Sequence, residues 1–212
     1  MKRQEAEERM KEVQRIMERA TLYTLLPGLP SIIGGVLALV GCGVSYAMIH
    51  SLNFLRVLAL PIKQQYAFCI LWTVIGIVAV AQEVWLTVRA AKRAGVAPMA
   101  RPARFAALSL SPSVLVAVVL TAKLLIDGQM EYITPVWAMC YGTGVYTAGL
   151  FSLRSPRMLG LAFIVAGAIG LLWFPHYGVV LAAVTFGLFH IAFGLYVVVR
   201  SRQGATTEAT CT

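Results

Sequence analysis

Six long apolar runs set the terms for this chain: residues 31–49, 66–88, 105–126, 135–153, 158–174 and 177–199. Crossing about 30 Å of hydrocarbon takes about twenty residues of helix at ~1.5 Å each, and every run approaches or exceeds that length. Inside lipid only helices and closed barrels satisfy their own backbone groups, and uninterrupted runs of this length lack the alternation of barrel strands. The expected fold class is therefore all-α, a bundle of six transmembrane helices. Composition agrees, since 59% of the 212 residues are hydrophobic and 13% charged.

The formal charge of +9 would by itself suit a nucleic-acid partner, but its distribution argues otherwise. Lys2, Arg3, Arg9, Lys11, Arg15 and Arg19 precede the first run. Arg89, Lys92, Arg93, Arg101 and Arg104 lie around the loop after the second, Arg154 and Arg157 between the fourth and fifth, and Arg200 and Arg202 after the sixth. With six crossings all of these fall on one side, which the positive-inside rule makes cytoplasmic, together with both termini. The expected partners are the bilayer, anionic lipids at the basic loops and a further membrane protein, with no nucleic acid. The opposite loops hold Arg56 and Lys63 against Asp127 and Glu131, and Lys123 is expected to snorkel toward that side.

The opening stretch "MKRQEAEERMKEVQRIMERA" is too charged for a secretory signal, so the first run is expected to be an uncleaved anchor. Leu22 to Ile49 is too long for one straight span, and Pro27 and Pro30 are expected to divide it, with Ser31 capping the second helix. Residues 1–26 then form a separate amphipathic helix at the membrane surface, its stripe made by Met10, Val13, Met17, Ala20 and Thr24. The apolar loop "HSLNFLRVLALPIKQQ" reads as an interfacial segment on the outer side, and residues 200–212 as a disordered cytoplasmic tail.

Glycines recur seven residues apart, on nearly one helix face, as Gly34 and Gly41, Gly142 and Gly149, Gly160 and Gly167, and Gly187 and Gly194. Such small residues let helices approach closely in lipid. A parallel internal repeat is a weaker signal: Tyr66 aligns on Tyr177, Gly76 on Gly187 and Arg89 on Arg200, while Gly34 and Gly41 align on Gly160 and Gly167.

Polar groups at membrane depth carry the functional reading, because a charged side chain mid-span costs about 2.5–3.5 kcal/mol on insertion scales. Counting back from the arginine after each span at ~1.5 Å per residue places His190 about 15 Å deep, Tyr146 about 12 Å and Glu83 about 9 Å. These three and Gln82 can share one layer in the inner half, as a proton-responsive or ligand-binding cluster opening toward the cytoplasm. Histidine suits that role because its charge changes near neutral pH. The competing reading pairs Glu83 with Arg89 and gives His190 one hydrogen bond to a neighbouring helix.

Cofactors are not expected. A bis-histidine haem site needs a second imidazole at depth, and His50 and His176 lie at the outer boundary. Cys42, Cys69 and Cys140 sit in apolar runs and Cys211 in the tail, without zinc or redox spacing. Neither HExxH, GxSxG, paired intramembrane aspartates nor a lysine in the last span occurs.

The stretches "VQRIMERATLYTLLPGLPSIIGGVLALVG" and "FGLFHIAFGLYV" resemble a family of bacterial integral membrane proteins of no assigned activity. The shared features are a charged N-terminal helix ending in a Met-Glu-Arg-like stretch, a Gly-Ser-type turn, a glycine-bearing first span and a histidine in the last. This chain departs from the pattern with Pro27 and Pro30 in the turn. The resemblance implies the bacterial cytoplasmic membrane. The expected function is a non-enzymatic sensor, transporter or channel-like module; the alternatives are an accessory subunit of a larger complex and an enzyme acting on lipid or isoprenoid.

Overall fold

The computed structural model of the chain describes residues 28–93, 101–150 and 154–210, so the helix expected over 1–26 lies outside the described residues. Among the described residues there is no strand. Helices α1 (Gly28–Ile49), α2 (Ile62–Arg93), α3 (Arg101–Ile126), α4 (Ile133–Leu150) and α5 (Arg154–Trp173) follow in order. The last helix, α6, starts with the turn Gly178–Ala182, winds as a π-helix over Ala183–Phe189 and continues as an α-helix over His190–Thr210.

Five stretches are long and apolar enough to cross a membrane: Gly28–Ile49, Ile62–Arg93, Ala107–Ile126, Pro156–Trp173 and Pro175–Arg200. The fourth expected span coincides with α4, which is not among them. Its glycines, threonines and tyrosines dilute its apolar content, and packing explains why they are there. Thr134, Pro135, Ala138, Gly142, Gly144, Val145 and Gly149 are all buried against protein, where small size counts for more than hydropathy.

Several boundaries differ from expectation for identifiable reasons. The first span starts at Gly28, with Pro30 in its first turn, where the missing N–H has no intrahelical acceptor anyway. Ser31 is therefore inside the helix and not its cap. Helix α6 runs on to Thr210, into the segment read as a disordered tail, because extending an existing helix adds a hydrogen bond per residue without a new nucleus. Helix α3 ends in a Schellman motif, with Gly128 at φ +69 and bonds from Gly128 N to the Leu125 carbonyl and from Gln129 N to the Leu124 carbonyl.

The apolar loop after α1 folds under the bundle. Asn53 caps a 3₁₀ turn, Phe54–Ala59, by accepting from the Leu55 amide at 2.9 Å. That turn packs with two others, Met130–Tyr132 and Pro175–Tyr177, across one end of the molecule. Phe54 and Val57 are buried there with Ile49, Phe68, Met130 and Val179, and the Phe54 ring meets Phe68 and Trp72 edge-on at 5.2 and 5.9 Å.

Glycines set the helix pairing. Helices α1 and α6 cross antiparallel, Gly28 on Gly194 and Gly35 on Gly187, and a Cβ at Gly35 would lie 2.6 Å from the Gly187 carbonyl oxygen. Helices α4 and α5 cross likewise: a Cβ at Gly142 would sit 2.7 Å from the Gly160 oxygen, one at Gly149 would press on Arg157, and one at Gly167 would sit 3.0 Å from the Pro135 oxygen. Gly41 instead faces Ile75 and Trp72 of α2, and Gly34 has only the Gln82 amide near it, at 3.8 Å. The α1 face that meets α6 is thus Gly28 and Gly35, one residue round from the pair expected.

The peripheral helices each lie along one inner helix, α2 on α1 and α3 on α4. Each contact carries one tryptophan hydrogen bond: Trp72 Nε1 donates to Ser45 Oγ at 3.1 Å, and Trp137 Nε1 to Thr121 Oγ1 at 2.8 Å. Helix α6 is the element shared between the two halves, whereas α1 and α4 make no extended contact along their length. The helices matched in the apparent repeat differ in form, since α2 is peripheral and regular while α6 is central and π-wound.

Candidate functional site

The π-helical turn places His190. Its wide winding covers Ala183–Phe189, and His190 is the first residue after it; such turns inside α-helices recur at functional sites. Thr185, fully buried, donates back to the Leu181 carbonyl at 2.7 Å, while Gly187 faces α1. Phe186, Phe189 and His190 turn toward α5, where their rings surround the fully buried Phe163 at 5.3, 5.6 and 5.3 Å.

His190 meets Tyr141 of α4. The Tyr141 hydroxyl and His190 Nε2 are 2.9 Å apart, and the two rings lie 5.4 Å apart. The other ring nitrogen, Nδ1, is buried and makes no hydrogen bond. Both side chains are half-buried.

Two neighbouring residues of α2 complete the setting. Gln82 donates through Nε2 to the Pro30 and Ala79 carbonyls, each at 3.1 Å, and its Oε1 is buried without a partner. Glu83, the next residue, is exposed. It makes no ion pair among the described residues, where the ion pair formed is Lys123 with Asp127 at 2.6 Å. The expected partner, Arg89, lies over the Trp85 ring at 5.2 Å. Arg157 caps α4 by donating to the Gly149 and Leu150 carbonyls at 2.7 and 3.1 Å.

Of the four residues expected to cluster, His190 meets Tyr141, and Gln82 is tied to α1 at the Pro30 carbonyl with Glu83 beside it in sequence. Tyr146 does not join them: it is 38% exposed on another face of α4, and Tyr141 occupies the position expected for it. Sequence reasoning missed Tyr141 and the ring set Phe163, Phe186 and Phe189. A usable signal existed, because Tyr141 directly precedes Gly142, a close-packing glycine, much as His190 follows Gly187 by three.

Among the described residues no group of three His, Cys, Asp or Glu side chains could hold a metal ion. His50 and His176 lie at the end closed by the 3₁₀ turns, where His176 Nδ1 meets the Asn53 amide at 3.3 Å. Cys42, Cys69 and Cys140 are free thiols. The chain matches no protein-family model, no curated protein and no solved structure, so its function has to be read from these residues.

Proposed function

We propose that the chain is a six-span protein of the bacterial cytoplasmic membrane, both termini inside, that binds a small ligand beside the Tyr141–His190 pair and works as a transporter or sensor without enzymatic chemistry. Helix α4 is the sixth span in this reading, its modest hydropathy offset by neighbours that shield it from lipid. The basic residues at the ends of α2 and α6 and the starts of α3 and α5 support the orientation.

The observation that carries the reading is the Tyr141–His190 pair with a buried Nδ1 that has no hydrogen-bond partner. A purely structural histidine at depth would have both nitrogens satisfied, since each unpaired buried group costs about 1–3 kcal/mol. Native mass spectrometry of the protein released from mild detergent should show the chain carrying a small-molecule adduct that His190→Ala loses. A chain that carries none, and whose thermal unfolding no extract of membrane metabolites shifts, would sink the reading.

An accessory-subunit role has one observation in its favour: α2 and α3 each pack along a single helix and leave most of their apolar surface outward. The same spectrum separates the two, because a subunit would travel with a second protein at fixed stoichiometry.

A further inference from the structure

Helix α2 ends in a face built of one aromatic ring and three cations. At 3.6 residues per turn Trp85, Arg89, Lys92 and Arg93 fall within about a third of the helix circumference, and all four are exposed, Trp85 at 58%. Ala91, on the far side of the same turn, is buried, so the cationic face looks away from the protein. The Arg89 guanidinium lies over the Trp85 ring at 5.2 Å. Among the described residues none of these three cations has an acidic partner: the ion pair formed is Lys123 with Asp127, and Glu83, the one acid of α2, pairs with none of them.

Stacking on an indole orients Arg89 without satisfying it. The indole has a donor N–H and no acceptor, so the contact uses its π face and leaves the guanidinium N–H groups for an anion. Arg200 over Tyr196 on α6 makes the contrast, since there the phenol oxygen accepts from the guanidinium. An arginine fork with further cations beside it matches the oxygens of a phosphate. Depth decides which phosphate is at hand. At ~1.5 Å per residue Arg89 lies about 35 Å along α2 from Tyr66, so with Tyr66 at one edge of ~30 Å of hydrocarbon Arg89 reaches the headgroups of the opposite leaflet. Toward the bilayer centre Val74, Val78 and Ala81 are exposed on the same face, an apolar track continuous with the charged end. A phosphate attached to acyl chains meets both; a free phosphate or an acidic protein segment meets only the charge.

We infer that this face of α2 is a binding site for an anionic phospholipid, its phosphate held by Arg89 with Lys92 and Arg93, the Arg89 fork set by Trp85, and an acyl chain laid along Val78 and Val74. The site uses neither Tyr141 nor His190 nor the rings around them, so it holds whether or not a ligand binds at that pair.

Native mass spectrometry of the delipidated protein in neutral detergent, titrated with phosphatidylglycerol or with phosphatidylcholine of the same acyl chains, reads the binding directly. Phosphatidylglycerol should give a saturable adduct, about fivefold or more tighter than phosphatidylcholine. Arg89→Gln should weaken it by about fivefold, the worth of one basic residue at an anionic surface, and Trp85→Leu, which keeps every charge, by about twofold or more. Arg56→Gln, which removes an exposed cation at the other end of the bundle, should leave it unchanged, and elution volume and unfolding temperature check that each variant is folded. Equal binding of the two lipids, a loss in Arg56→Gln as large as that in Arg89→Gln, unchanged binding in Trp85→Leu, or displacement of phosphatidylglycerol by inorganic phosphate would overturn the inference.

Discussion

Tyr141 and Tyr146 lie on one helix with opposite fates, one bonded to His190 and the other outward. Tyr141→Phe leaves Nε2 of His190 without its partner, and should cost about 0.5–2 kcal/mol of unfolding free energy in mixed micelles; Tyr146→Phe should change it by less than about 0.5. Equal effects would mean that the hydrogen bond is not formed. Depth counted from Arg154 favours Tyr146, but α4 is described over Ile133–Leu150, with Arg157 reaching back to the Gly149 and Leu150 carbonyls. Counted from Leu150, Tyr141 is about 13 Å from the helix end, close to the ~15 Å of His190. His50 offers a second check, since it ends α1 at φ +47 with its amide bonded to the Tyr46 carbonyl at 2.8 Å. A non-glycine residue there is strained, so His50→Gly should raise the midpoint by an amount equivalent to about 0.5–1 kcal/mol.

Helix pairs are set by which glycines face which partner. Gly35→Ala drives a Cβ against the Gly187 carbonyl, a backbone atom that cannot move alone, and should cost about 1–3 kcal/mol or prevent assembly. Gly34→Ala, one residue earlier, meets only the flexible end of Gln82 and should be neutral or slightly stabilising. Thermal unfolding with size-exclusion chromatography would tell these apart, and a destabilised Gly34→Ala with normal Gly35→Ala would refute the observed crossing. Seven-residue spacing was legible in the chain, but Gly28/Gly35 and Gly34/Gly41 carry the same spacing, and only the partner helix selects between them. The π-helical turn was not legible at all, because "AVTFGLF" contains no residue that forbids an ordinary α-helix.

The arrangement as a whole predicts a sidedness. In a cysteine-free background, Gln129→Cys at the end closed by the 3₁₀ turns should react with a membrane-impermeant maleimide in intact cells. Lys92→Cys at the opposite end of the bundle should react only after permeabilisation; the reverse pattern would invert the orientation proposed from the arginines. What the amino acids alone dictate here is the solvent and the secondary structure. Long apolar runs must be helical in lipid because no other open structure satisfies the backbone there, and that depends on local composition. Which tyrosine meets His190 and which glycine face packs depend on groups distant in the chain. Tyr141 and His190 are 49 positions apart, and their meeting is decided by how two antiparallel glycine crossings orient α4 and α6 about each other, a long-range packing outcome that no local pattern encodes.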